Sequence, residues 1–381
     1  MRWCVQNDCS RGDIALSRRC QIQADRGGCR IAFALVFTVC AALAACGSGG
    51  QQSIDSYLSK LASEGKLTCS VLVARRGAVL VSAGYGLADE ENRIPNTPHT
   101  RFRIGSNTKQ FTAAAILMLQ DRGQLNVRDN LCQYVSNCPT AWQSITLFHL
   151  LTHTSGIPNY TDFADFPSLI DTPVTVEGLI DRFKSRPLEF DPGARWSYSN
   201  SGYVLLGYII EKTSGRAYAD FLNENIFAPL LMMDTGYDVN DPPILNHATG
   251  YLSPGIKPVH FDMSEVYAAG ALYSTVEDLY RWDQVLLAGS LLSPDSLRAM
   301  TSAQVPCPSG GCALSTDRGY GYGWFIADES NHSYVYHWGR IDGYKSSNGF
   351  YPQEQISVVL LNNLETTDVF GISTRLGELA Q

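Results

Sequence analysis

Strand-like patterns lie near both ends of this 381-residue chain, and helical patterns fill its centre. Near the N-terminus, two apolar runs, Cys69–Val73 and Ala78–Ser82, flank a turn at Gly77 and predict a β-hairpin. Strands at both ends predict an α+β fold. Its antiparallel sheet would combine N- and C-terminal segments, flanked by helices, with a helical lobe inserted at roughly 110–300. The late strand patterns are 323–327, 333–337, 346–351 and 356–362.

Apolar residues at helical spacing account for most of the remaining sequence. The pattern is present in segment 54–63, in six central segments and in a last segment near the C-terminus. The inserted lobe is therefore predicted to be mainly helical. The central and last segments are 111–121, 145–153, 176–184, 202–212, 218–226, 276–287 and 368–379.

The beginning of the chain resembles an export signal rather than part of a domain. Arg26 and Arg30 precede an apolar run, Ile31–Ala42. This run is too short to span a bilayer as a helix and fits the core of a signal peptide. The chain is therefore predicted to be exported.

Leu43-Ala44-Ala45-Cys46 is similar to a bacterial lipobox, which predicts lipidation of Cys46. We then expect a lipoprotein signal peptide over 1–45, a flexible tether over 46–52 and one domain over 53–381. The protein would lie in the bacterial cell envelope, anchored to a membrane by its lipid, facing the periplasm or in the outer membrane. An ordinary secretory signal is the alternative.

Five cysteines follow Cys46, and four of them form two close pairs. In an oxidising compartment, Cys132 with Cys138 and Cys307 with Cys312 predict two small-loop disulfides. Metal binding is the alternative, but no histidine or cysteine cluster completes a site. Cys69 lies in a strand pattern and is predicted to be a buried free thiol.

The formal net charge of the chain is −8, with 37 acidic and 29 basic residues. No run of basic residues stands out after the signal segment. An acidic surface of this kind argues against nucleic acid as a partner.

Ser106-Asn107-Thr108-Lys109 is an S-x-x-K element at the start of a predicted helix. One helical turn separates the hydroxyl of Ser106 from the amine of Lys109, so both project from one face. The helix N-terminus adds free backbone N–H groups. These features supply a nucleophile, an amine to activate it and part of an oxyanion hole. A second match, Ser63 to Lys66, has no apolar helix after it.

Two later elements strengthen the assignment of Ser106. Tyr198 and Asn200 lie in a turn-rich loop before a predicted helix, and a phenol beside an ammonium group is expected to have a lowered pKa. Tyr198 would then take the proton of Ser106. His337-Trp338-Gly339 lies on a late predicted strand, whose edge would aim a backbone N–H at the substrate oxygen.

The order S-x-x-K, Y-x-N and H-x-G resembles that of the serine β-lactamase-related hydrolases. This family includes class C β-lactamases, D-alanyl-D-alanine carboxypeptidases and related esterases. The likeness extends over nearly all of residues 51–381 and implies the β-lactamase/transpeptidase-like form of the predicted fold. Further similar stretches are Arg103–Ser106, His149–Pro158, Tyr198–Tyr203 and Glu211–Gly215.

The resemblance implies a role for each motif residue. Ser106 would be the acylated nucleophile, and Lys109 and Tyr198 would share the general-base work. Asn200 would hold the substrate or the amine of Lys109. The backbone N–H groups of Ser106 and Arg340 would form the oxyanion hole.

The third motif departs from the family pattern. His337 stands where many relatives have the lysine of a K-T-G motif, and Gly339 completes the same strand edge. Trp338 stands where relatives that act on carboxylate-bearing substrates often have a small hydroxyl residue. Indole has one N–H in a different place and far more bulk. We therefore expect poor recognition of carboxylates, with Arg340 as the one candidate substitute.

Two other patterns are expected to be structural. His149 and His153 are four residues apart on a predicted helix, which is metal-ligand spacing, but no third ligand is evident. Packing or hydrogen bonding is the better interpretation. Lys212–Gly215 is similar to K-T-G, but it closes a helix and fits a C-cap.

The sequence thus predicts an exported serine hydrolase that cleaves an ester, amide or peptide bond without a metal or other cofactor. The residues leave esterase, carboxypeptidase and β-lactamase activity open, and also the oligomeric state. The alternative is a non-catalytic peptidoglycan- or peptide-binding protein that keeps the fold. Its partner would be a small molecule or a peptide in either case.

Overall fold

The computed structural model describes residues 50–308 and 312–381. Its largest element is an eight-stranded antiparallel sheet. The strands of the described chain are β1 (Cys69–Arg75), β2 (Ala78–Tyr85), β3 (Leu87–Asp89), β4 (Ile94–Pro95), β5 (Phe102–Arg103), β6 (Gly236–Tyr237), β7 (Leu272–Ser274), β8 (Val305–Pro306), β9 (Asp317–Tyr320), β10 (Phe325–Glu329), β11 (His332–Ile341), β12 (Tyr344–Tyr351) and β13 (Ile356–Asn362).

The large sheet joins the two ends of the domain. Its order is β2-β1-β13-β12-β11-β10-β9-β8, so the N-terminal hairpin pairs with the last strand. Cys69 of β1 lies opposite Asn362 of β13, and Arg75 lies opposite Ile356. Two smaller sheets, β3-β4 and β5-β7-β6, lie outside it. The predicted sheet of N- and C-terminal segments is confirmed.

The helices lie mostly in the segment inserted between β5 and β8. A π-helical turn, Asn223–Phe227, continues the helix that ends at Leu222. The predicted helical lobe is confirmed, although α7 and α9 were not predicted. The helices are α1 (residues 50–63), α2 (Thr108–Asp121), α3 (Leu147–Leu151), α4 (Val176–Lys184), α5 (Asn200–Ser214), α6 (Tyr218–Leu222), α7 (Tyr267–Gly270), α8 (Val276–Ala288), α9 (Pro294–Thr301) and α10 (Val369–Ala380).

Both faces of the large sheet are buried, because each is covered by helices. Alternate residues of β1 point to opposite sides: Val71 and Val73 join the core formed with α1 and α10, and Leu72 joins the core of the helical lobe. β13 alternates in the same way, with Val358 on the first side and Val359 on the second. This explains why the strand patterns are continuously apolar.

A close backbone contact fixes the lobe against the sheet. A Cβ added to Gly339 of β11 would lie 1.9 Å from the carbonyl oxygen of Ile104, which precedes α2 by four residues. Only glycine permits this approach. Ser346 of β12 donates a hydrogen bond to the same carbonyl at 2.7 Å. The segment before α2 is therefore held on the β11–β12 ladder.

The cysteines that follow residue 50 are arranged as predicted. Disulfides join Cys132 to Cys138 and Cys307 to Cys312, and Cys69 is free and buried. Burial raises the pKa of the Cys69 thiol, which keeps it protonated and unreactive.

The N-terminal predictions lie mostly beyond the part that the structure describes. The signal segment 1–45, Cys46 and the first tether residues fall outside the described residues. Residues 50–52, placed in the tether by the sequence, are helical and begin the described part of α1. Within 50–308 and 312–381, every helix falls short of the length and hydropathy needed to cross a membrane.

Candidate active site

Ser106 lies in a short 3₁₀ turn, Gly105–Asn107, that leads directly into α2. The φ of Gly105 is +51°, a backbone conformation that L side chains rarely adopt. The turn brings the first predicted pair together: Nζ of Lys109 lies 3.1 Å from Oγ of Ser106. The nucleophile and the amine of the S-x-x-K element are thus within hydrogen-bond distance.

Lys109 is fully buried, and its amine has neutral partners. Besides Ser106, Nζ donates to Oδ1 of Asn200 and to the carbonyl of Ala269, each at 2.8 Å. The ring of Tyr198 lies 4.8 Å away, measured to its centroid. Burial without a carboxylate partner lowers the pKa of Lys109 well below its ordinary value. A neutral amine at this position can accept a proton from Ser106.

Tyr198 also faces Ser106, but its pKa moves in the direction opposite to our prediction. Burial raises the pKa of Tyr198, and its hydrogen bond with Ser106 lowers it by less. The lowering expected from a neighbouring ammonium group is not seen, because the cost of burying the phenolate dominates. Tyr198 therefore acts as a neutral phenol, which can both donate and accept a hydrogen bond.

Asn200 begins α5 and orients the amine of Lys109 rather than standing free in the cavity. Its Nδ2 donates to Oγ1 of Thr161 at 3.1 Å, and its backbone N–H donates to Oδ1 of Asn159 at 2.9 Å. We did not predict Asn159 or Thr161. The signal was present, since both lie within three residues of Pro158, the end of a stretch that resembles the family.

His337 is placed behind the site, not in contact with the cavity. Its side chain is fully buried, Nε2 lies 3.1 Å from the hydroxyl of Tyr320, and Nδ1 lies 2.6 Å from the carbonyl of Trp338. Burial lowers the pKa of His337 to about 3, with a smaller effect from Lys109. The predicted substrate contact by His337 is therefore corrected to a packing role.

The two histidines that were predicted on one helix make packing and hydrogen-bond contacts, but His153 lies beyond the end of α3, with φ of +58°. The ring of His153 stacks 4.3 Å from that of Tyr198, and its Nδ1 accepts the backbone N–H of Ser199 at 3.1 Å. His149 completes a capping box with Thr146 at the start of α3. In the described part of the chain, no three histidine, cysteine or acidic residues are grouped to hold a metal.

The strand edge predicted for the oxyanion hole lies beside the turn that carries Ser106. A Cβ on Gly105 would lie 2.7 Å from the backbone nitrogen of Arg340. The neighbouring Gly339 contacts the carbonyl of Ile104, the residue before the turn. The side chain of Arg340 points elsewhere: Nε lies 2.5 Å from Oε1 of Glu365. The backbone nitrogen of Arg340 thus lies beside the turn, its part in an oxyanion hole stays a prediction, and its side chain is paired with Glu365.

A buried chain of hydrogen bonds supports the turn from below. Oγ of Ser346 accepts from Nδ2 of Asn107 at 2.7 Å, while donating to the carbonyl of Ile104. Oδ1 of Asn107 accepts from Gln110 at 2.8 Å, and Gln110 accepts in turn from Asn348 at 3.2 Å. These buried hydrogen bonds tie the turn that carries Ser106 to α2 and β12. The sequence motifs did not reveal it.

Ser106 lines a cavity of about 490 Å³. Its charged residues are Asp162, Asp342 and Arg340, and Asn159 and Thr161 add polar groups. The rest of the wall is largely apolar. The aromatic and aliphatic residues include Phe166, Trp196, Phe261, Phe325, Trp338 and Ile341.

The two other motif matches, Ser63–Lys66 and Lys212–Gly215, have local structural roles. Oγ of Ser63 donates to the carbonyl of Lys60 at 2.8 Å on the exposed side of α1. The segment Lys212–Gly215 closes α5: Gly215 has φ of +69°, and its N–H donates to the carbonyl of Glu211 at 2.9 Å. Neither belongs to the cavity that contains Ser106.

Comparison with known proteins gives matches over most of the chain. A putative penicillin-binding protein, PbpX, from Bacillus subtilis (strain 168) is 31% identical over 325 residues, which are 84% of this chain and 75% of that protein. The structure is similar to that of a penicillin-binding protein from Bacillus halodurans, with 28% identity and a TM-score of 0.75. That match covers 84% of this chain and 98% of the other.

The structure is also similar to that of D-amino acid amidase from Ochrobactrum anthropi SV3, solved in complex with L-phenylalanine amide. Here the identity is 26% and the TM-score 0.76, with 87% of this chain and 98% of the other covered. The family model described as Beta-lactamase matches residues 54–380. The chain therefore belongs to the Beta-lactamase family.

Proposed function

We propose that this protein is a serine hydrolase that cleaves an ester or amide bond through an acyl-enzyme on Ser106. The family match, together with penicillin-binding-like and amidase neighbours, supports a serine hydrolase in general terms. One observation carries the finer proposal: the buried amine of Lys109 lies 3.1 Å from Oγ of Ser106 and is held there by Asn200.

Acylation in this scheme begins with proton transfer from Ser106 to the neutral amine of Lys109. Oγ forms a bond to the substrate carbonyl carbon, and the backbone N–H groups of Ser106 and Arg340 stabilise the oxyanion. When the intermediate collapses, the bond to the leaving group breaks. That group takes the proton from the ammonium of Lys109, with the Tyr198 hydroxyl as relay.

Deacylation repeats the sequence with water as the nucleophile. Water attacks the acyl carbon, and Lys109 accepts its proton. The bond to Oγ then breaks, and Ser106 recovers a proton from Lys109. The products are a carboxylic acid and the alcohol or amine released earlier. The two steps together consume one water molecule and need no cofactor.

The cavity favours substrates without a carboxylate beside the scissile bond. Arg340 is paired with Glu365, and Asp162 and Asp342 add negative charge to the wall. Trp338 offers bulk in place of a hydroxyl donor. The amidase neighbour has been solved with L-phenylalanine amide, D-phenylalanine and L-phenylalanine, which all have an aromatic side chain. We infer esters or amides of neutral, apolar or aromatic acyl groups as substrates.

We expect a fluorophosphonate probe to label Ser106, because among residues 50–308 and 312–381 it is the serine of the cavity wall with an amine within hydrogen-bond distance. Mass spectrometry of the labelled protein would locate the adduct. Ser106→Ala should abolish labelling, whereas Ser63→Ala should leave it unchanged. An adduct on another residue, or a folded protein that takes no label, would favour the non-catalytic binding protein.

We expect kcat/KM for a neutral ester to rise with pH along a limb far below pH 10.5, the ordinary pKa of lysine, because the deprotonated amine is the active base. Lys109→Met should lower the rate by roughly 10²–10⁴-fold and remove the limb. Tyr198→Phe should lower the rate but keep the limb. Lys66→Met, an exposed charge, serves as control. A limb near pH 10 that disappears in Tyr198→Phe would identify a tyrosinate base instead.

We expect the unmodified protein to hydrolyse short-chain p-nitrophenyl esters and to turn over nitrocefin weakly. Trp338→Thr should raise the nitrocefin-to-ester ratio by roughly tenfold, since a hydrogen bond to a charged group contributes about 1.5–3 kcal/mol. Trp338→Leu removes the bulk without adding a hydroxyl and should not reproduce the rise. Efficient hydrolysis of nitrocefin or D-Ala-D-Ala peptides with poor ester turnover would contradict this substrate class.

We propose, finally, that Cys46 carries a lipid anchor in the bacterial cell envelope. Multiple acyl chains hold a protein stably on a membrane, whereas one does not. In cells expressing the full chain, Cys46→Ala should move the protein from the membrane to the soluble fraction and abolish palmitate incorporation. Cys40→Ala is the matched control. Retention of the Cys46→Ala protein in the membrane would place the anchor elsewhere.

A further inference from the structure

A second cavity, of about 350 Å³, adjoins the catalytic cavity and shares two of its wall residues, Trp338 and Arg340. Its other walls come from Lys345 on β12 and from the segment 365–370 that leads into α10. We call it the Lys345 cavity. The two cavities are therefore neighbours along β11.

The Lys345 cavity contains a cation without an acidic partner. Arg340 and Lys345 lie directly opposite each other on β11 and β12, where like charges repel. Glu365 neutralises Arg340, with Nε 2.5 Å from Oε1. Nζ of Lys345, in contrast, donates only to the carbonyl of Thr367, at 3.2 Å. Among the ion pairs of residues 50–308 and 312–381, none includes Lys345.

The acidic groups near Lys345 are committed to other contacts. Glu365 accepts a backbone N–H from Gly343 at 2.9 Å in addition to its contact with Arg340. Asp368 is the N-cap of α10, where its Oδ1 accepts the N–H of Gly371 at 3.0 Å. The wall therefore holds two cations and two carboxylates, and Lys345 is the cation whose amine no carboxylate contacts.

Two polar groups in the same wall have no hydrogen-bond partner within the described part of the chain. They are Oγ1 of Thr367, a residue that is 3% exposed, and Nε1 of Trp338. A buried donor left unsatisfied costs about 1–3 kcal/mol. A ligand with acceptor atoms would satisfy both after small side-chain rotations. The donors and the cation together match a carboxylate.

We propose that the Lys345 cavity binds a carboxylate at the far end of a substrate whose ester or amide bond lies at Ser106. This inference rests on the proposed function and extends its substrate class from neutral acyl groups to acyl groups that end in a carboxylate. Such substrates are compatible with the catalytic cavity, because their carboxylate would lie in the Lys345 cavity and not beside Asp162 and Asp342. Lys345 would be the residue that determines this preference.

The test compares two series of substrates of matched chain length. One series contains 4-nitrophenyl monoesters of succinic, glutaric and adipic acid, and the other contains neutral 4-nitrophenyl alkanoates. For at least one length, we expect kcat/KM for the carboxylate ester to exceed that of its neutral match by roughly tenfold, mainly through KM, as expected for a single charge-assisted hydrogen bond.

The variants assign this preference to the cavity. Lys345→Met should reduce the ratio of kcat/KM between the two series to about one, Lys345→Arg should retain part of it, and Thr367→Val should lower it by less. Lys66→Met, an exposed lysine outside both cavities, should leave the ratio unchanged. Thermal unfolding of each variant would confirm an intact fold.

The outcomes separate this inference from the proposed function. If neutral esters are hydrolysed and no chain length shows a preference for the carboxylate ester, the subsite is overturned but the proposed hydrolase activity is not. This comparison needs only the unmodified protein. A preference that Lys345→Met does not change also overturns it. If neither series is hydrolysed and no label reaches Ser106, the proposed function fails, and the subsite fails with it.

Discussion

Burial of the Lys109 amine is the physical constraint on which the rest of the site depends. Desolvation disfavours its charge, so the amine remains a base only where neutral groups hold it. Asn200 at the start of α5 and the carbonyl of Ala269 on α7 supply those contacts, each at 2.8 Å. Three helices must therefore meet at one point, and the same desolvation raises the pKa of Tyr198.

The second requirement is that Ser106 be held at a fixed position beside the edge of β11. Gly339 lets β11 approach the segment before α2 more closely than any side chain would allow. Ser346 and Asn107 then tie that segment to the β11–β12 ladder. The helical lobe contributes the base and the sheet contributes the strand edge, so the site exists only where the two are packed together. This is the reason why the catalytic cavity lies at their junction.

In the function proposed above, charge pairing at the rim of the cavity limits the choice of substrate. Arg340 was the one candidate to replace a missing carboxylate donor, but Glu365 already neutralises it. Lys345, directly opposite on the neighbouring strand, has only a carbonyl as partner. The free positive charge is thus displaced from the scissile bond into the adjoining cavity. A substrate with a distant carboxylate follows from this arrangement.

The sequence by itself determined the elements and the order of the motifs. Hydrophobic periodicity is local, so strands such as Ile356–Asn362 and helices such as Val176–Lys184 were predicted with their boundaries. The S-x-x-K spacing likewise predicted that the side chains of Ser106 and Lys109 lie close together. Only the tertiary structure decided the direction of the Tyr198 pKa, the burial of His337 and the partners of Arg340 and Lys345. These depend on desolvation and on contacts between segments far apart in the chain, which no local pattern records.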